Sequence, residues 1–152
     1  MPEEIFDLPL HPLVVHAAVV FVPLAAFATL LVAVLPRWRL PCGWVSVFFS
    51  AAAAAVVPLA TWSGRRLLEA REFGGEVLEK LTEHEQMGDR LIWAVAPLFV
   101  LNLATMVAMQ AGRPSWQVNT LAVLALVPAV VAVVLVVLTG HLGSLAVWNP
   151  AA

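Results

Sequence analysis

The sequence predicts an all-helical integral membrane protein, an antiparallel four-helix bundle, on three observations. Of its 152 residues, 62% are hydrophobic and only 12% charged, with a mean hydropathy of +0.93; soluble domains run at roughly 45–50% apolar and about 25% charged. All ten acidic and all eight basic residues lie outside four apolar runs, each about the 20 residues that a bilayer crossing needs. The six tryptophans sit at the ends of those runs, where an indole ring meets lipid on its body and water at its N–H. This composition excludes a soluble globular domain and a disordered chain, and Cys42 as the single cysteine excludes a disulfide scaffold. A net charge of −2 leaves no basic footprint for nucleic acid. The length suits one domain.

The runs are residues 13–35, 43–62, 91–109 and 118–138, each roughly 28–35 Å long as a helix. The turns at Pro36 to Pro41 and Ala111 to Gln117 are short, so consecutive helices run antiparallel. Trp38, Trp44 and Trp116 mark one face, and Trp62, Trp93 and Trp148 the other. Each run holds an internal proline, Pro23, Pro58, Pro97 or Pro128, which removes one backbone hydrogen bond and is tolerated where neighbours satisfy the carbonyl. Ala51 to Ala55 reads as a small-residue packing face, and Asn102 and Asn119 as interhelical glue. Between the second and third runs, Ser63 to Arg90 is dense in charge and broken at Gly74 and Gly75, which predicts a charged helical hairpin outside the bilayer. Thr82 with Glu85 reads as a capping box opening helix three, with a start near Glu76 as the alternative.

Glu3, Glu4 and Asp7 stand where a cleavable signal peptide would be basic, so the first span is expected to be retained. Arg37, Arg39 and Arg113 occupy short turns without an acid; Arg65, Arg66 and Arg90 near the other span ends count the other way, but an acidic arm and a long acid-rich loop translocate more readily than a bare Arg-Trp-Arg turn, so both termini are expected outside.

Topology gathers all four histidines near that face. His11 precedes span one, His16 lies a turn inside it, His84 precedes span three and His141 follows span four. His16 and His141 are expected at one depth and His84 about 10 Å further out. Imidazole is the commonest transition-metal ligand, and paired histidines from facing helices serve as axial ligands to haem iron. Three imidazoles with a carboxylate suit zinc, copper or iron. Gly88, Gly140 and Gly143 flank two of the histidines and would leave room for a flat ligand.

The phrases HPLVVH in helix one, PLATWSG closing helix two, EHEQMGDRLIW opening helix three and LTGHLGS ending helix four, in this order, resemble a bacterial four-helix membrane family called domain of unknown function 2231. The resemblance covers nearly the whole chain, departing from it at Ala146 to Pro150. It implies that the family's helix-one histidines fall on His11 and His16, its helix-three histidine on His84 and its late glycine turn on Gly140 to Gly143. Links of some members to redox domains imply haem or another redox metal.

The expected function is therefore binding of haem b or a transition metal ion for electron transfer or metal handling, in a bacterial cytoplasmic membrane. In the haem version His16 and His141 are the axial ligands, with His84 as substitute and Met87 as a distant candidate. In the ion version His16, His84 and His141 bind beside His11, assisted by Glu85 or Asp89. The acid-rich loop would dock a basic soluble partner, and the alanine faces would support a homodimer. The alternative is a cofactor-free structural or interaction subunit. No nucleophile and base pair that would mark an enzyme is legible.

Overall fold

The computed structural model describes residues 4–5, 8–70 and 74–148. A two-residue antiparallel pairing of β1 (Glu4–Ile5) with β2 (Leu8–Pro9) leads into α1 (Leu10–Val34). A 3-10 turn at Pro36–Trp38 joins α1 to α2 (Arg39–Glu69). Then follow α3 (Gly75–Gln110), α4 (Ser115–Leu124) and α5 (Leu126–Trp148). Four segments are long and apolar enough to cross a membrane: α1, the turn with α2, α3, and α4 with α5. All six tryptophans are exposed, from 46% at Trp62 to 84% at Trp148, as rings in a belt facing lipid headgroups must be. Phe27, Phe48, Val100, Val127, Val130 and Val137 are likewise exposed and form the lipid-facing surface between the belts.

Two local expectations change. The fourth span is two helices, broken at Ala125, because Pro128 has no N–H to donate back to Leu124. Thr82 and Glu85 do not cap a helix: α3 starts at Gly75, the earlier of the two expected starts, and the Thr82 hydroxyl donates to the Leu78 carbonyl (2.7 Å) inside it. Gly75, with φ of +61°, takes the left-handed conformation that favours glycine. Helices α2 and α3 thus continue beyond the apolar core as one projecting hairpin.

The core consists of small and branched side chains: Ala18, Val22, Ala53, Val57, Leu91, Val95, Ala132 and Val136, continued by Ala25, Leu98 and Ala129. Lipid is as apolar as valine, so close packing rather than expulsion of water holds such helices together. Ala53 is buried within the chain, so part of the stripe from Ala51 to Ala55 serves the bundle itself. Deep in this core the Asn102 amide donates to the Thr29 hydroxyl (3.0 Å), which in turn donates to the Ala25 carbonyl (2.7 Å). At the same end Arg39 donates to the Val32 carbonyl (2.9 Å) in the last turn of α1 and to Asn119 (2.6 Å) of α4. That satisfies a carbonyl the helix end leaves unpaired. Both asparagines join helices, as expected. Asn102→Ala should cost about 1 kcal/mol, and a double-mutant cycle with Thr29→Val should return a coupling near the ~0.6 kcal/mol average for such membrane bonds. Unfolding in a denaturing detergent measures both.

The burial pattern also reveals a repeat. Buried Ala18, Val22, Ala25 and Thr29 of α1 are matched, 73 residues on, by buried Leu91, Val95, Leu98 and Asn102 of α3. Buried Ser50, Ala53 and Val57 of α2 are matched, 79 residues on, by Ala129, Ala132 and Val136 of α5. Equivalent positions meet across the two halves, Thr29 on Asn102 and His11 on His84, as a twofold axis along the bundle requires.

Candidate functional site

At the end of the bundle opposite Thr29 and Asn102, His11 and His84 face each other with ring centres 6.0 Å apart and planes at 83°. Each is held by the same device. The His11 Nδ1–H donates to the Ala60 carbonyl of α2 (2.9 Å), with the Ser63 hydroxyl at 3.3 Å. The His84 Nδ1–H donates to the Thr139 carbonyl of α5 (2.8 Å). A carbonyl only accepts, so in each neutral ring the proton sits on Nδ1 and the lone pair on Nε2. No hydrogen bond from the described residues engages either Nε2. One helical turn after each acceptor stands a glycine. A Cβ on Gly64 would lie 3.0 Å from the His11 ring, and one on Gly143 3.0 Å from the His84 ring, so the absent side chains are what let the imidazoles reach these carbonyls.

Both rings line a cavity of about 120 Å³, together with Glu85, Val15, Val19, Leu67, Leu81 and Val136. Beside it Arg65 of α2 clamps two carboxylates of α3, donating from Nε to Glu85 (2.9 Å) and from Nη2 to Asp89. The second Asp89 oxygen is buried without a hydrogen-bond partner among the described residues. An ion needs ligands of fixed protonation held by outer partners, and the Nδ1–H contacts to carbonyls are the outer shell that metal-bound histidines commonly have.

The expected ligands are distributed differently. His16 is exposed and turns back on its own helix, its Nδ1 on the Pro12 carbonyl. His141 is exposed on α5. Neither lines the cavity, so the structure does not bring His16 and His141 together. Sequence depth set them level, but their helical rotation points them outward. His84 meets His11 ring to ring, at a level five residues and so about 7.5 Å before His16 along α1. Met87 receives a contact from Arg90 (3.7 Å) and also lies outside the cavity lining. Glu85 lines the cavity, while Asp89 is bound to Arg65. Among the described residues, no group of three or more His, Cys, Asp or Glu surrounds a common ion position. The space expected from Gly143 is filled by the His84 ring, whereas a Cβ at Gly140 would meet nothing within 4 Å.

Sequence reasoning missed Gly64, Arg65 and the Ala60 and Thr139 carbonyls. The signal that could have found them is the repeat: Gly64 and Gly143 stand 79 residues apart, as do Ala60 and Thr139, and His11 and His84 stand 73 apart, as do Thr29 and Asn102.

No curated protein and no solved structure matches the chain. A family model does, over residues 7–151, nearly its entire length and including both helical pairs and every histidine. The chain therefore belongs to the family of predicted membrane proteins described as domain of unknown function 2231 (DUF2231).

Proposed function

We propose that this membrane protein binds a transition-metal centre between His11 and His84 and serves in metal handling. The observation that supports this reading is the pair of Nε2 lone pairs, each preset by an Nδ1–H donated to a backbone carbonyl. Two Nε2–metal bonds of about 2.0–2.1 Å set ring centres at most about 6.4 Å apart, and rings at 6.0 Å lie within that limit. Haem b is the less suited occupant. A cavity of about 120 Å³ lies below the ~300 Å³ at which pockets for drug-sized ligands begin, and a porphyrin would have to part the helices. Electron transfer remains the use a redox-active ion at this site would have.

We assign the histidine end to the outside of a bacterial cytoplasmic membrane, on the support of its acid-rich loop, which translocates more readily than the bare turn of Arg37, Trp38 and Arg39 at the other end. The exposed Glu69, Glu76, Glu79 and Glu83 of the projecting hairpin suit a basic soluble partner. A homodimer would use outer faces, since the buried alanines are committed within the chain.

Elemental analysis and an absorption spectrum of purified protein test the reading. The expected result is a transition metal that survives His16→Ala and His141→Ala and is lost in His11→Ala and His84→Ala. A Soret band that shifts on reduction would replace the ion with haem. Neither a metal nor a Soret band would leave the cofactor-free interaction subunit.

A further inference from the structure

We infer that the ion held by His11 and His84 is monovalent and two-coordinate, copper(I) by chemical class; this rests on the metal reading above and deepens it. Three observations carry it.

The first is ligand count. Zinc takes four ligands in structural sites and three protein ligands in catalytic ones. Here two imidazoles face each other, and no third His, Cys, Asp or Glu among the described residues completes an ion position with them. The carboxylates beside the cavity, Glu85 and Asp89, are tied to Arg65, which leaves one Asp89 oxygen unpartnered among the described residues. A filled d shell with a single positive charge is what makes copper(I) stable with two opposed nitrogen donors, and imidazole is among the ligands copper accepts. Ring centres at 6.0 Å, against about 6.4 Å for a straight N–metal–N arrangement, are close enough for a bent two-coordinate pair. Planes at 83° are allowed because two-coordination imposes no fixed angle between the ligand planes.

The second is charge. Arg65 with Glu85 and Asp89 sums to one net negative charge at the cavity edge, and one monovalent cation neutralises it. A divalent ion would leave an excess positive charge in a cavity walled by Val15, Val19, Leu67 and Val136. The cost of burying charge in low dielectric grows with its square, so a divalent ion faces a fourfold larger penalty with the same two neutral donors.

The third is symmetry. The two ligands are equivalent positions of the repeat, on the axis that relates its halves, each with a carbonyl partner and a glycine one turn later. A single ion with two like ligands is the occupant such an axis provides for.

The experiment is competition of purified full-length protein, in nanodiscs under anaerobic reducing conditions, with a chromogenic copper(I) chelator. Silver(I) serves as the redox-inert probe, cobalt(II) and zinc(II) as divalent comparators, and X-ray absorption of the copper-loaded wild type counts ligands. The expected result is one copper(I) or silver(I) per chain, two nitrogen scatterers, and much weaker cobalt and zinc binding. His11→Ala and His84→Ala should each weaken binding more than the ~10–100-fold that loss of an outer-shell partner costs. Arg65→Met, which makes the cavity edge doubly negative, should shift preference towards cobalt and zinc. Three or four ligands, or divalent binding as tight as copper(I), would overturn the monovalent assignment and leave the metal reading standing. Binding of none of these ions would overturn both.

Discussion

Gly143→Leu should abolish metal binding at the proposed His11–His84 site while leaving the bundle folded. A Cβ at this position already lies 3.0 Å from Cε1 and 3.1 Å from Nδ1 of His84, and the further atoms of leucine occupy the space of the ring itself. The imidazole must swing off the Thr139 carbonyl, losing the contact that sets its tautomer and aims Nε2. The backbone does not suffer: Gly143 lies within α5 with a negative φ, and leucine is a better helix former than glycine by about 0.5–1 kcal/mol. The expected outcome is thermal stability at or near the wild-type value with metal binding reduced at least as far as in His84→Ala. Gly64→Leu should behave alike through His11, whose ring stands at the same 3.0 Å. Gly140→Ala is the control, because a Cβ there meets nothing within 4 Å. Metal retained at wild-type affinity in both leucine variants would show that the two rings are not the ligands.

Gly43→Leu should give the largest loss of stability. A Cβ on Gly43 would fall 2.1 Å from Sδ and 3.2 Å from Cε of Met106, and Met106 is only 1% exposed, so its side chain has nowhere open to retreat. Here α2 packs against the Met106 side chain of α3 in a contact that only a residue without a side chain permits. Overpacking of this kind costs about 1–3 kcal/mol. Met106→Ala vacates the volume, so the double variant should recover much of the loss although each single change destabilises. Unfolding of the four proteins in a denaturing detergent measures the cycle. Simple additivity of the two changes would mean that the residues are not in contact.

Much of the fold was legible because a bilayer imposes its own length and polarity on a chain. The absence of charge from residues 13–35, 43–62, 91–109 and 118–138 is a one-dimensional signal, and the tryptophans at their ends report the boundaries independently. Legibility ended where helix rotation begins. Val22 is fully buried and Phe27 is 59% exposed, yet both are apolar residues of α1, because in lipid the outward face needs to be as apolar as the inward one. Without that amphipathic contrast the sequence could place His16 and His141 at one depth but not say which way they point.

The same limit separates what the chain's letters determined from what needed the folded molecule. Four crossings, the projecting acidic hairpin and the gathering of histidines at one end follow from residue order, since transfer of charge into hydrocarbon is costly enough to settle depth by composition alone. Which two imidazoles meet, the carbonyls that fix their protons, the glycines that admit their rings and the Arg65 clamp were decided by tertiary packing. Those contacts join residues 20 to 73 positions apart, and their geometry depends on the rotation and close approach of helices. That rotation is set by how small side chains interdigitate.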